Sequence, residues 1–235
     1  MEYPMRINKY LAHQGIASRR EADVLVEAGK VLINGVKARN GDQVTETDKV
    51  ELLGVTKTKS YLAYYKGRGI ITHSPSEKEV DIAQRLLKDY GISNVAPIGR
   101  LDKDSEGLMI LSNDGRITGP LLDPDSDHEK EYEVMVDKAI SGMFIKAMTA
   151  GVDIEGYRTK PAKVTAHKTN DKKFTIILTE GKKHQIRRMC AALGYQIQAL
   201  KRVRIMSIKL DKLKPNQYRK IAGVELKDFL KELGV

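Results

Sequence analysis

Residues 96–115 join a charged loop to an apolar run, and they restrict the possible folds more than any other stretch. The run, Leu108–Leu111, lies between a glycine and an Asn-Asp-Gly turn, which is typical of a buried strand. The loop before it carries Asp102 between Arg100 and Lys103, and neighbouring cations favour an ionised carboxylate. Such a loop lies at the rim of a core, where chemistry is often done. A solvated turn with local ion pairs has the same pattern.

The charge and composition narrow the class of partner. The 235 residues are 41% hydrophobic, which is enough for a packed core in one or two domains. Lys and Arg number 41 against 31 Asp and Glu, so the net charge of +10 favours a nucleic acid first and an anionic membrane surface second. No apolar run approaches the roughly 20 residues of a spanning helix, and no secretory leader is evident. We therefore expect a cytoplasmic protein with no membrane partner.

Residues 1–53 have the pattern of a small module made of two helices and a hairpin. Ser18 is a predicted helix N-cap, with a glutamate three positions later that completes a capping box. Asn34-Gly35 between two short apolar runs predicts a tight hairpin. Residues 54–60 lack apolar periodicity and are interpreted as a linker, so that a second domain covers residues 61–235.

This module resembles the S-four domain, a small RNA-binding domain first described in ribosomal small-subunit protein four. The resemblance rests on Arg6, on Ser18-Arg19-Arg20 and on residues 31–35. At a helix N-terminus, backbone N–H groups and guanidinium groups can meet a phosphate together. The resemblance therefore implies RNA contacts at Arg6, Arg19 and Arg20. Without it, a solvated helix start is the simpler interpretation.

Three segments of the second domain resemble the signatures of RNA pseudouridine synthases, in the branch typified by RsuA, RluB, RluE and RluF. They are Gly99-Arg100-Leu101-Asp102, Lys130-Glu131-Tyr132 and Gln185-Ile186-Arg187-Arg188. His128-Glu129 is similar to the RluF subgroup in particular. The resemblance spans nearly the whole chain. It implies an α+β fold in which the helix-helix-hairpin module precedes a synthase domain with a central, mostly antiparallel sheet.

The resemblance also implies a set of site residues. Asp102 acts on the sugar, as nucleophile or as base, and the sequence does not choose between the two. Tyr132 stacks on the target base, an interaction that contributes about 1–3 kcal/mol. Arg187 holds the aspartate, since a paired guanidinium lowers the pKa of a carboxyl group and fixes its orientation. Leu200 and Arg100 are expected in the substrate pocket. The reaction of this family converts uridine to its isomer pseudouridine, which needs no redox change and no external group. We therefore expect no cofactor and no metal.

The C-terminal half is unusually basic. Between Lys182 and Lys220 there are twelve basic residues and one acidic residue. Such a bias is hard to explain without a polyanion, although a charge run is often only a solvated face. The further RNA contacts that we expect are Lys66, Arg188, Lys201, Arg202 and Arg204. His184 is interpreted as structural and Cys190, the single cysteine, as a buried packing residue.

The resemblance therefore implies an enzyme that isomerises a uridine in ribosomal RNA, with 23S RNA expected in preference to 16S, and we expect it to be a monomer. The alternative is a non-catalytic RNA-binding factor for ribosome assembly. A different hydrolase or a DNA-binding protein is disfavoured because no nucleophile-elbow sequence and no metal-ligand spacing is present.

Overall fold

The computed structural model describes residues 3–54, 58–73 and 79–235. Its first part contains two helices and short strands. In chain order they are β1 (Met5–Arg6), α1 (Ile7–His13), α2 (Arg19–Glu27), β2 (Val31–Ile33), β3 (Val36–Lys37), β4 (Gln43–Val44) and β5 (Val50–Leu52). The middle of the predicted linker, residues 55–57, lies outside the described residues.

Local chemistry explains this first part. The Ser18 Oγ accepts from the Glu21 amide at 3.3 Å, and a Glu21 carboxylate oxygen accepts from the Ser18 amide at 2.9 Å, which confirms the capping box. Asn34 and Gly35 both have positive φ, as a two-residue hairpin turn requires, and they connect the antiparallel pair β2 and β3. The helices and strands bury one apolar cluster, which includes Ile7 and Leu11.

The second part is larger and mixes strands with helices. In chain order it contains β6 (Tyr61–Lys66), α3 (Ile82–Tyr90), β7 (Ala96–Ile98), β8 (Glu106–Ser112), a 3-10 turn (Gly115–Ile117), α4 (Thr118–Leu122), β9 (Lys130–Val136), α5 (Gly142–Ala150), β10 (Asp153–Ile154), β11 (Tyr157–Arg158), β12 (Lys163–Ala166), β13 (Lys173–Leu178), α6 (Gln185–Ala192), β14 (Ile197–Ile205), β15 (Ile208–Lys209), β16 (Tyr218–Lys220) and α7 (Gly223–Glu232). In the described ranges, no helix is long and apolar enough to cross a membrane.

One central sheet organises this part. Its strands follow the order β12-β13-β9-β14-β8-β6-β16, with β15 beside β14 and β7 beside β8. The strand pairs of this sheet are antiparallel except for β14 and β8, which run parallel where Lys201 and Arg202 lie beside Glu106 and Gly107. The predicted α+β class with a mostly antiparallel central sheet is therefore confirmed.

The predicted strand at Leu108–Leu111 forms the inner part of β8 and is fully buried. It packs in two apolar clusters, one on each face of the sheet. A third cluster lies beyond β14, between the sheet and helices α5 and α6. The parallel pair thus lies between two packed regions, and the loop that carries Asp102 enters β8 at this position.

Candidate active site

A cavity of about 390 Å³ opens beside the parallel pair of strands. This volume lies in the range of small-molecule pockets, roughly 300–1,000 Å³. Arg100, Asp102, Tyr132 and Leu200 all line it, so four of the five predicted catalytic or pocket residues converge there. Arg187, the fifth, does not line the cavity.

Backbone contacts fix the loop that carries Asp102. The Thr72 hydroxyl donates to the Leu101 carbonyl at 2.9 Å and accepts from the Leu101 amide at 3.1 Å. The Lys66 ammonium donates to the Ser105 carbonyl at 2.7 Å, and the Ser105 amide donates to the Asp102 carbonyl at 3.1 Å. The Asp102 side chain, 37% exposed, therefore projects from a held turn rather than from a free loop.

His184 is the basic group beside Asp102. Its Nε2 atom lies 3.3 Å from Asp102 Oδ1. The residue has a left-handed φ of +52° and immediately precedes α6, which turns its ring toward the cavity that it helps to line. Sequence reasoning missed this contact, although the position of His184 next to the Gln-Ile-Arg-Arg signature was an available signal.

Arg187 does not pair with Asp102, which corrects the prediction made from the sequence. Its guanidinium donates to Ser105 Oγ at 3.1 Å and to the Asp104 carbonyl at 3.4 Å. Among the described residues, His184 is the one whose basic atom lies within 4.0 Å of an Asp102 carboxyl oxygen. The physical reason is that α6 directs Arg187 at the turn behind Asp102, so that it braces the loop instead of neutralising the carboxylate.

The floor of the cavity is one face of the sheet. Side chains alternate along a strand, so Tyr132 and Lys130 of β9 point the same way. Tyr132 faces Arg202 of β14 across the sheet, and Leu200 lies two residues earlier on the same strand. All four line the cavity, and Tyr132 is half-buried. This arrangement gives a floor made of an aromatic ring, an aliphatic side chain and two cations, on which a flat ring can stack.

Three of the predicted RNA-binding cations are buried or partly buried and contact the protein itself, and RNA contacts at these residues stay predictions. Lys66 has no exposed surface, and burial lowers the pKa of its ammonium to about 8. Arg202 is 5% exposed and donates to the Leu108 carbonyl at 2.7 Å. Arg204 is 17% exposed in its side chain and forms ion pairs with Glu131 at 2.7 Å and Glu129 at 2.9 Å. Their strands lie inside the sheet, so these side chains have protein partners.

The other predicted RNA contacts lie nearer the solvent. Arg6, Arg19 and Arg20 are exposed on the first part of the chain. Arg188 donates to Glu155 at 2.7 Å, so its charge is partly compensated. The Lys201 ammonium lies 5.7 Å from the centre of the Tyr65 ring, and it is 3.9 Å from Glu133. RNA contacts at these residues stay predictions.

Two exposed lysines at the mouth of the cavity were missed. Lys182 and Lys183 line the cavity, and Lys182 also lies 4.6 Å from the centre of the Tyr157 ring. The Glu-Gly-Lys-Lys sequence just before the third signature was the available signal. Together with the exposed Arg100 they place positive charge around the opening.

A buried carboxylate holds this part of the rim. Glu180 is 4% exposed and accepts hydrogen bonds from the Tyr157 hydroxyl, the Lys160 amide and the Gln185 side-chain amide. Gln185 in turn accepts from the Lys182 amide at 2.9 Å. The segment from Glu180 to Gln185 is therefore anchored at both ends, which fixes the backbone that carries His184.

Comparisons with known proteins agree with this geometry. The family model described as RNA pseudouridylate synthase matches residues 60–192, and the model of the S4 domain, called the S-four domain above, matches residues 5–50. The dual-specificity RNA pseudouridine synthase RluF of Escherichia coli (strain K12) is 40% identical over 233 residues, which cover 97% of this chain and 79% of the relative.

Two further matches cover nearly complete chains. The ribosomal large subunit pseudouridine synthase B of Bacillus subtilis (strain 168) is 33% identical over 230 residues, which cover 94% of each chain. A solved structure described as a crystal structure of pseudouridylate synthase is 27% identical, with a TM-score of 0.70, and the match covers 97% of this chain and 99% of that one.

Proposed function

Because the chain belongs to the family of RNA pseudouridylate synthases, we propose that it isomerises a uridine of ribosomal RNA, and of 23S rather than 16S RNA. The observation that carries this proposal is the convergence of Asp102, Tyr132 and Leu200 on one cavity of about 390 Å³. The ribosomal choice draws on a relative that is named for the large ribosomal subunit.

Asp102 is the residue that acts on the sugar. The reaction breaks the bond between C1′ of the ribose and N1 of uracil, and it joins C1′ to C5 of the same ring. Asp102 contributes either as a nucleophile at C1′ or as a base that removes a proton from the sugar. Both roles require an ionised carboxylate, and both are compatible with a half-buried side chain whose loop is held by Thr72 and Lys66.

Tyr132 and Leu200 hold the base in our proposal. The uridine must leave its stack before C1′ and N1 can be reached, and this costs a few kcal/mol. Stacking on the Tyr132 ring stabilises the extruded base by about 1–3 kcal/mol, and apolar contact with Leu200 adds to this stabilisation. The site therefore favours uridines in loops and bulges, where unstacking is least costly.

The remaining RNA is held outside the cavity. Arg100, Lys182 and Lys183 surround the opening, and Arg19 and Arg20 add exposed charge on the S-four domain.

We propose a division of the chain into the S-four domain at residues 1–53, a linker at 54–60 and the catalytic domain at 61–235. We also propose that the enzyme works as a monomer in the cytoplasm, where ribosomal RNA is made.

The test is release of tritium from ribosomal RNA transcripts labelled at C5 of uracil, because isomerisation frees the C5 hydrogen. Wild-type protein should release tritium from a 23S transcript, and Asp102→Asn should release none. Asp104→Asn is the matched control, since that exposed side chain lies on the same loop and only its backbone carbonyl contacts Arg187. It should keep at least about half of the activity.

Two results would overturn the proposal. Wild-type protein that is inactive on both 16S and 23S transcripts would favour the non-catalytic assembly factor. Full activity of Asp102→Asn would remove Asp102 from the chemistry. Activity confined to 16S RNA would correct the choice of subunit.

A further inference from the structure

The floor of the cavity contains a lysine with few partners. Lys130 lies on β9, two residues before Tyr132 and on the same face of the strand. Its strand neighbours are Leu178 on β13 and Ile205 on β14, and both also line the cavity. In the part of the chain that the structure describes, its ammonium makes one hydrogen bond, to the His128 carbonyl at 3.1 Å, and no ion pair.

A second cation stands beside Lys130. Burial lowers the pKa of the Lys130 ammonium, and the nearby Arg202 guanidinium lowers it further. The Arg202 Nε atom donates to the Leu108 carbonyl, and its Nη2 atom donates to the Met109 sulfur. Its Nη1 atom has no hydrogen-bond partner among the residues that the structure describes. A partly buried ammonium and a buried guanidinium therefore share the floor, and neither forms an ion pair with a carboxylate of the described residues.

Two like charges that lie close together without a carboxylate partner repel each other, so they favour a ligand that presents hydrogen-bond acceptors or negative charge to them. The phosphates of an RNA strand are bulky, so we expect them to meet the exposed cations of the cavity lining first, which are Arg100, Lys182 and Lys183. The group that reaches the floor is the flat base on Tyr132. Uracil presents two carbonyl oxygens, O2 and O4, which both accept hydrogen bonds.

Uracil also becomes negative during the reaction. When the C1′–N1 bond breaks, its electron pair leaves with the base and spreads over N1, O2 and O4. When C5 joins C1′, the pair forms the new bond. The C5 proton is then lost to water and N1 takes a proton from water, so atoms and charge balance.

We propose that Lys130, supported by Arg202, binds the carbonyl oxygens of uracil and stabilises the negative charge of the detached base. The proposal rests on the proposed function, because it deepens the role of the same cavity. Charge-stabilising groups that are fixed before the reaction are effective because they need no reorganisation when the charge develops. The same pair selects against cytosine, whose exocyclic amine would turn a second donor toward the ammonium.

The first experiment measures cleavage of the C1′–N1 bond in single-turnover reactions with saturating RNA. Lys130→Met removes the charge but keeps an unbranched side chain. It should slow the reaction about tenfold to a hundredfold, which is the value of one charged hydrogen bond. Lys173→Met is the matched control, a lysine that is exposed on the neighbouring strand β13 and whose ammonium makes no hydrogen bond or ion pair among the described residues. It should react at the wild-type rate.

A second substrate separates charge stabilisation from packing. Replacing the target with 5-fluorouridine puts an electron-withdrawing atom on the ring, so the detached base needs less help from the protein. The defect of Lys130→Met should then shrink several-fold relative to uridine. A purely structural defect would slow both substrates by the same factor, and that result would overturn the proposal.

Folding of the variant is itself informative. Lys130→Met removes a partly buried charge that Arg202 repels, so the melting temperature should be equal or higher. Lys130→Gln, which keeps a neutral donor, should show an intermediate rate. Loss of folding in both variants, or a wild-type rate in Lys130→Met, would contradict the proposal. An inactive wild-type protein would instead refute the proposed function, so the two failures are distinguishable.

Discussion

Replacing Gly107 by alanine tests the parallel pair of strands beside the cavity. Gly107 has a φ of +116°, which L residues with a side chain rarely adopt. A Cβ atom built on it would lie 2.2 Å from the carbonyl oxygen of Arg202 and 2.6 Å from its amide nitrogen. Both atoms belong to the backbone of β14, so no side-chain rotation relieves the contact.

The size of the effect follows from two destabilising contributions and one smaller stabilising contribution. Ordinary van der Waals contact begins at 3.4 Å, so β14 must shift by more than about 1 Å at this point. Overpacking of this kind costs about 1–3 kcal/mol, and the backbone conformation adds about 1–3 kcal/mol. Alanine also lowers the conformational entropy of the unfolded chain, which stabilises the folded variant by about 0.4–1 kcal/mol. We expect a net loss of about 2–5 kcal/mol, or a drop of roughly 5–20 °C in the melting temperature.

Thermal unfolding followed by circular dichroism measures the loss, and the tritium assay at a temperature where the variant is folded measures the site. Activity should also fall, because β14 carries both Leu200 and Arg202 into the cavity. Gly142→Ala is the matched control: its φ is not positive, no atom lies within 4 Å of the place that a Cβ atom would take, and it begins α5 away from the cavity. A Gly107→Ala protein as stable as this control would refute the argument.

Two further predictions concern the Asn-Asp-Gly turn after β8. Burial alone would raise the pKa of Asp114, but hydrogen bonds from Arg116 and Tyr61 and the charge of Lys59 bring it from 3.8 to about 2. The stability that Asp114 contributes is therefore complete above about pH 4 and is lost as the pH falls toward 2. The difference between wild type and Asp114→Asn in urea unfolding should be about 2 kcal/mol at pH 7 and close to zero near pH 2, and a constant difference would contradict this reasoning. Gly115→Ala would place a Cβ atom 2.3 Å from the Ala12 carbonyl of α1, so it should move the S-four domain away from the catalytic domain. X-ray scattering should show a larger radius of gyration, and an unchanged value would argue against this contact.

Local signals predicted local structure well. The capping box at Ser18 and the hairpin at Asn34-Gly35 depend on residues a few positions apart, so the sequence contains all the information that they need. The convergence of Asp102 and Tyr132 followed from a resemblance, because residues distant in sequence are brought together only by the fold. Cys190 is buried as its helical pattern predicts.

The contacts that the cations make within the protein were the hardest to predict, and the reason is physical. A basic run in the sequence does not reveal which side chains meet a buried carbonyl or a carboxylate. The Lys66 ammonium binds carbonyls of the loop that it supports, and the Arg204 guanidinium pairs with Glu131 of β9 and with Glu129 just before that strand. The irregular pairing of β14 with β9 between Arg202 and Arg204 also changes which residues face inward. The orientation of Arg187 depends on how α6 packs, and a motif does not specify that.

The parallel junction of β8 and β14 also has a consequence for biosynthesis. Leu108 and Arg202 are 94 positions apart in sequence, yet they are hydrogen-bonded neighbours. Contacts over such a separation form late, because a long loop must close first. A chain still being translated therefore has Asp102 and Tyr132 outside the ribosome well before Leu200 and Arg202 can join them. The cavity that these residues line therefore forms only after β14 has been synthesised and has paired with β8.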